Sequence, residues 1–380
     1  MVTSGLLALL FLVSIILVVY TYVGYPLVIA RYARPEHQQA ASQESNFAIT
    51  VVLSVFNGAP LLPARIENLL QQDYASERLT LVIVDDGSTD GTGELLQQYA
   101  DHPQIRIARH DANKGKAVAL NTGLALAETE LVAFTDVRQS FATDAISVLA
   151  GRFVDPTVGA VTGNLVFRNP KGVDPQGGYW DLEKSIRENE SRYRSTVGVT
   201  GAVYMARRAL IEEIPANLIL DDVLIPMRIV KQGYRVKFAH DAIAYDDPSA
   251  NLTEEYYRKV RTLAGNWQLI IETPWLLSAS ENPIFFEFVS HKLMRLLAPW
   301  ALAISLICAW FLRDYAFFHM VLMIQMGLIS LAGIGFLLYL GKLKVPVLSQ
   351  LTSFAMLNVA ALVGTWKYFF GEQKNLWRPH

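Results

Sequence analysis

The first 30 residues of the chain contain no charged side chain, and residues 5–20 are apolar apart from Ser14. Such a run is long enough to cross a hydrocarbon core about 30 Å thick, where a helix satisfies its own backbone bonds. Three more apolar runs, residues 296–312, 315–341 and 345–366, follow a polar middle. Any fold must therefore hang a polar domain between apolar ends. The first run has neither a basic leader nor a small-x-small cleavage site, so it reads as an anchor rather than a cleaved signal. The expected division is an anchor at 1–30, a polar domain at 46–292, a membrane region of about three apolar segments at 293–370 and a tail at 371–380.

Basic residues set the expected orientation. Arg31 and Arg34 flank the first run, and Lys342 and Lys344 separate the last two. The positive-inside rule puts both groups, and the polar domain with them, on the cytoplasmic face of the cell (inner or plasma) membrane. The tail's Lys367, Lys374 and Arg378 sit badly with four crossings, which would leave them outside. Either the rule fails there or one apolar segment does not fully cross.

Composition removes other classes. The net charge is −2, which offers no basic field for nucleic acid. The single cysteine, Cys308, rules out an intramolecular disulfide or a cysteine-rich zinc site and reads as a small buried apolar residue. Asn251-Leu-Thr253 matches a glycosylation sequon but falls in the cytoplasmic part, so it reads as chance.

The middle of the chain alternates strand and helix. "FAITVVLSVF", "LTLVIVDDGSTDGT", "QIRIARH" and "ELVAFTD" are short apolar strands, and "LLPARIENLLQQ" and "KGKAVALNTGLALAE" between them have helical spacing. This order implies an α/β fold, a doubly wound and mostly parallel sheet, whose ligands bind beyond the carboxyl ends of the strands. Polar residues gather at three of those ends: Phe56-Asn57, Asp85-Asp86 and Asp136. One such end is ordinarily a turn or cap; three in succession suit a nucleotide site.

"VDDGSTDGT", "NKGKAVALN", "FTDVRQ", "VTGAVYMARR", "LDDVLIPMRIVKQGYRV" and "RKVRTLAGNWQ" occur in the order seen in membrane-bound family-2 glycosyltransferases, and the apolar ends resemble the polysaccharide-synthase-like branch. The resemblance covers about residues 46–292. It implies a GT-A-like nucleotide-sugar domain and an inverting transfer from a nucleotide-sugar donor to a glycan or lipid-linked acceptor, beside partners for glycan synthesis or export. On it, Phe56, Asn57, Asp85 and Asp86 contact the nucleoside, Lys116 approaches the diphosphate, and Asp136 binds a divalent ion, Mg²⁺ or Mn²⁺. Asp222 of the Asp221-Asp222 pair matches the general base, although either aspartate also suits a helix cap. Gly201-Ala202 lies on the acceptor side, and Arg258 and Arg261 contact the diphosphate.

The departures from the pattern are specific. Arg138 replaces the second aspartate of the usual D-x-D; being cationic, it is expected to pair with a diphosphate oxygen or to hold Asp136. Thr262 stands at the motif's tryptophan, with Trp267 five residues on as the aromatic left for the acceptor sugar. Two rival readings are an inactive membrane partner of a glycan complex, which the altered D-x-D favours, and a nucleotidyltransferase, which leaves the acidic pair and both arginines unexplained.

Overall fold

The computed structural model describes residues 2–35, 46–168, 177–247, 252–341, 343 and 345–371. Lys342, Lys344, Asn251, most of the linker at 35–46 and the tail's Lys374 and Arg378 lie outside the described residues.

The first apolar run folds as α1 (Val2–Val19) and α2 (Tyr25–Tyr32), joined by a π-helical turn at Tyr20–Gly24. The polar middle follows: β1 (Ile49–Val55), α3 (Leu62–Leu70), β2 (Leu79–Asp85), α4 (Thr92–Gln97), β3 (Ile105–Arg109), α5 (Lys116–Ala125) and β4 (Leu131–Thr135). Then come β5 (Ser140–Phe141), α6 (Ala145–Gly151), β6 (Val158–Phe167), α7 (Gly177–Tyr193), β7 (Tyr204–Arg207), α8 (Asp221–Lys231), β8 (Arg235–Asp246) and α9 (Leu252–Glu272). The chain ends with α10 (Phe285–Phe288), α11 (Met294–Phe311), α12 (Ala316–Leu340) and α13 (Pro346–Phe370), and a second π-helical turn, Val289–Leu293, joins α10 to α11.

One sheet orders the strands β3-β2-β1-β4-β7-β6-β8-β5. β3, β2, β1 and β4 pair parallel, as strand-helix alternation requires. Beyond β4 the sheet is mixed, because β7 runs antiparallel between β4 and β6. β5 follows β4 too closely for a parallel crossover and closes antiparallel on β8. All seven residues of β1 are buried, since helices cover both faces of the sheet. Val52, Val84 and Phe134 pack towards α5 and α8 on one face, and Val51, Leu53 and Ile83 towards α3 and α6 on the other.

Four helical stretches, Thr3–Tyr32, Phe285–Phe311, Ala316–Leu340 and Pro346–Phe370, are long and apolar enough to cross a membrane. Among the contacts that tie them to the polar domain are a polar cluster and a close helix packing, beside the apolar packing of Ile29 on Ile186. In the first, His291 presents one ring nitrogen to Glu190 Oε1 (2.7 Å) and the other to Glu183 Oε1 (3.0 Å), while Arg295 donates to Glu183. Tyr25 donates its hydroxyl to Glu190 Oε1 at 2.6 Å, and Tyr20 meets Ser290 Oγ at 2.7 Å. Burial would raise the Glu183 carboxyl, but Arg295 and His291 outweigh it and hold it well below the usual range. The second contact is backbone to backbone. A Cβ on Gly364 of α13 would lie 3.0 Å from Val260 O and 3.1 Å from Ala264 N of α9.

Gly364→Leu is therefore expected to push α9 off α13, with an overpacking cost of about 1–3 kcal/mol. Thermal unfolding of the detergent-solubilised chain checks this; an unchanged midpoint would mean that the two helices part without cost.

Candidate active site

The site lies where the carboxyl ends of β1, β2 and β4 meet the start of α8. After β1 the chain turns through Asn57 at a left-handed φ of 52°, a conformation that asparagine tolerates better than most residues. Its N–H donates to Ser88 Oγ (2.8 Å), and its Oδ1 accepts from Thr89 N–H (2.9 Å), so Asn57 braces the turn after β2.

Asp85 and Asp86 stand at the expected strand end but are fully buried, and most of their oxygens already serve the protein. Asp85 Oδ1 accepts from Ser88 N–H at 2.9 Å. Arg109 Nε lies 3.2 Å from Asp85 Oδ2, at ion-pair distance but off the direction of a hydrogen bond. The Asp86 carboxylate meets His110 Nδ1 (2.6 Å) and accepts from the N–H groups of Lys114 (3.0 Å) and Gly115 (2.8 Å). Gly115 has a φ of 97°, which a side chain would resist, and α5 starts one residue later with Lys116.

Lys116 is the hinge of the arrangement. Its Nζ lies 3.1 Å from Asp136 Oδ1 and 3.7 Å from Asp221 Oδ2. Burial would lower its pKa, but Asp136, Asp221 and Asp222 outweigh that and hold the ammonium above the usual lysine value. Asp222 behaves in the opposite way. Burial, and then the charge of Asp221, push its carboxyl up to about 6, against the pull of Lys116, Lys292 and Arg187. From α9, Arg261 faces the same three carboxylates; burial lowers its pKa, and the three charges offset this only in part. Arg258, one turn earlier, donates to Glu255.

Gly201 lies beside Asp222: an added Cβ would fall 3.6 Å from Asp222 Oδ2, an ordinary contact distance, and the carboxylate is half-buried. Ala202 is buried behind it and accepts from Thr135 Oγ1 at 3.0 Å.

Three expectations are corrected. Arg138 does not hold Asp136. The strand ends at Thr135, so the alternation of extended backbone stops, and the guanidinium instead donates to Asp246 Oδ2 at 2.8 Å beside Gln139 (2.9 Å). Trp267 does not face an acceptor. Its indole N–H donates to Thr365 Oγ1 (2.9 Å), and its ring meets Phe369 edge-on at 5.6 Å, both on α13. Neither Asp221 nor Asp222 caps α8; the N-cap is Leu220, with no side-chain cap bond, and both aspartates lie within the first turn.

Two features went unread in the sequence. Arg65 lies buried in the apolar stripe of α3, donates to Thr135 Oγ1 and Asn68 Oδ1, and stacks 4.3 Å over Phe141. A cation between Leu62, Ile66 and Leu69 was the available signal. The Glu183–His291–Glu190 cluster joins residues more than 100 positions apart and left no local signal.

Two family models match the chain: Glycosyl transferase family 2 over residues 50–215, and Glycosyl transferase family group 2 over residues 148–363, more than half of its length. The poly-beta-1,6-N-acetyl-D-glucosamine synthase of Staphylococcus aureus (strain COL) is 24% identical over 230 residues, 59% of this chain and 55% of that protein. The chain thus spans about half the length of that relative. Glycosyltransferase AglE of Haloferax volcanii is 27% identical over 232 residues, 58% of this chain and 74% of that protein. Among solved structures, the mannosyltransferase PcManGT from Pyrobaculum calidifontis, in complex with GDP-Man and Mn2+, has a TM-score of 0.74 at 23% identity and covers 96% of this chain and 99% of its own. That likeness carries the fold, a GT-A-like mixed sheet with apolar terminal helices.

Arg138→Ala leaves the buried Asp246 short of its cation and is expected to cost about 2–3 kcal/mol of stability. Asp246→Asn in the same chain should restore much of it. Denaturant unfolding of the two single variants and the double variant measures the coupling, and additive losses would exclude the pair.

Proposed function

The chain belongs to the family-2 glycosyltransferases, and we propose that it moves one sugar, with inversion, from a nucleoside diphosphate to a hydroxyl of a glycan or lipid-linked acceptor. The reading puts the reaction on the cytoplasmic face of the membrane and in polysaccharide biosynthesis. One observation carries it: Asp222, pushed up to about 6 by burial and Asp221, is a half-buried carboxylate beside Gly201 and within the field of Lys116.

In an inverting displacement the acceptor oxygen attacks the anomeric carbon as the carbon–oxygen bond to the diphosphate breaks. The electron pair of that bond leaves on the diphosphate, and the hydroxyl proton goes to Asp222 Oδ2. A base whose pKa lies near the working pH is both ionised and able to hold the proton. Asp221 keeps that pKa high by its charge.

The donor is assigned to the other side of the same carboxylates. Phe56, Asn57 and Asp85 suit the nucleoside, with Asp85 Oδ2 as the acceptor least committed to the protein. Asp86 shapes the wall through the Lys114 and Gly115 amides. Lys116 and Arg261 suit the diphosphate oxygens, with Arg258 on the same helix. Arg138, engaged by Asp246, leaves this list, and so does Trp267 from the acceptor side.

A divalent ion fits. Among the described residues no group of three or more His, Cys, Asp or Glu side chains is arranged to hold a metal ion, so the protein alone builds no closed cage. Asp136 is one hard oxygen donor at the ligand edge, and the 3.1 Å contact with Lys116 marks its surroundings as favourable to positive charge. Mg²⁺ and Mn²⁺ suit a site of one carboxylate completed by diphosphate oxygens and water. Bound there, the ion would neutralise charge on the leaving diphosphate.

Asp222→Asn is expected to lower kcat by about 10²-fold or more with the donor KM unchanged, because proton acceptance alone is lost. In the unaltered chain, kcat should fall as pH drops through about 6, where the base becomes protonated; the variant should lack that limb. Nucleoside-diphosphate release by the purified full chain, offered a panel of UDP- and GDP-sugars with Mn²⁺ or Mg²⁺, measures both. Equal rates in the variant would remove Asp222 from the reaction.

A further inference from the structure

We infer that Tyr204 is a positioning residue of the transfer: its hydroxyl takes over the Asp221 carboxylate when Lys116 and Arg261 turn to the donor diphosphate, and so keeps a negative charge beside Asp222. This role rests on the reading of Asp222 as the base and of both cations as diphosphate ligands.

Tyr204 is the first residue of β7 and pairs with Phe134 of β4, two residues before Asp136. Its ring stacks on that of Phe134, with centres 4.5 Å apart and planes 10° from parallel. Both rings belong to the apolar cluster that α5 and α8 close over the sheet through Ala117, Leu120, Val223 and Leu224. Those two helices start with Lys116 and with Asp221-Asp222, so the ring stands under the floor of the site. The residue is 1% exposed, and its hydroxyl oxygen, closed off from solvent, makes no hydrogen bond among the described residues. Burial, then the charges of Asp221, Asp222 and Asp136, hold that hydroxyl well above the usual tyrosine value, so it stays a donor at any working pH.

Asp221 has the matching need. It is buried, and its carboxylate accepts no hydrogen bond among the described residues. Lys116 Nζ, at 3.7 Å, is too far to donate, and Arg261 faces it from α9. In the proposed reaction both cations go to the diphosphate, which leaves a buried charge beside an unmet donor. A buried carboxylate without a partner takes up a proton, and Asp222 would then lose the neighbouring charge that raises it. A hydrogen bond from Tyr204 to Asp221 meets both needs. A tyrosine that only filled the core would be matched there by phenylalanine, which has the same ring and no hydroxyl to satisfy.

The test uses the purified full chain. Tyr204→Phe removes no hydrogen bond that exists before the donor binds, so its thermal midpoint should not fall. Its affinity for UDP or GDP with Mn²⁺, read by titration calorimetry, should fall about tenfold or more, because the bond forms only once the diphosphate is bound. In an Asp221→Ala background the same substitution should cost little further. In turnover, the acid limb of kcat should move up from about 6, because a carboxylate pair that loses a donor takes its proton more readily. The other groups that face Asp222, namely Asp221, Lys116, Arg187, Lys292 and Arg261, are unchanged in the variant. Unchanged nucleotide affinity in Tyr204→Phe, or an equal loss with and without the Asp221 carboxylate, overturns the inference. Binding is read without turnover, so a chain that shows the coupling yet transfers no sugar would uphold the Tyr204–Asp221 contact and sink the proposed function instead.

Discussion

Asp136 and the Asp221-Asp222 pair come from distant segments and cannot share a site without a cation between them. Two like charges 4 Å apart repel by about 4 kcal/mol at the effective dielectric of a protein surface, and Lys116 supplies the compensation, 3.1 Å from one carboxylate and 3.7 Å from another. Much of the local architecture serves to place this ammonium. Asp86 at the end of β2 captures the Lys114 and Gly115 amides, and Gly115 turns through a left-handed φ. The "DDGS" and "NKGK" segments are thus two halves of one device, joined by hydrogen bonds. Lys116 shields Asp136 and Asp221, while Asp222, further from that compensation, keeps the raised pKa.

Much of this was legible in the chain. Apolar β-branched runs ending in aspartates marked the strand ends, because a buried strand can only place its charges where the sheet stops. Two readings failed where a partner lies far along the sequence. The reading of Arg138 assumed that extended backbone continued past Asp136; it stops at Thr135, and the guanidinium turns to Asp246, 108 residues away. Trp267 looked like a free aromatic because its hydrogen-bond partner, Thr365, is 98 residues on. The acidic pair looked like a cap because helix starts favour aspartate there and within the first turn alike.

The catalytic domain is held to its membrane helices by charge on one side and by close backbone packing on the other. Glu190, bonded to Tyr25 and His291, also accepts from Val197 N–H at 3.2 Å. Arg187, at 3.4 Å from Glu183, donates to Thr200 Oγ1 at 2.7 Å. The segment at 197–201 that runs up to Gly201 is thus fastened at both ends to α7, which is fastened to the membrane helices. The floor beneath the proposed acceptor hydroxyl is continuous, through side chains, with the lipid-embedded part of the molecule.

The two π-helical turns, Tyr20–Gly24 and Val289–Leu293, face each other through Tyr20 and Ser290. A π turn holds one more residue than the α turn it replaces, which rotates everything beyond it by about 100°. Each membrane helix can therefore keep one face for lipid on its outer stretch and present a differently phased face, with Tyr25 or His291, to the catalytic domain. The lipid-facing stripe and the catalytic-domain-facing stripe become separate sequence problems. Mutations can retune one to a bilayer of different thickness without shifting the angular setting of the other.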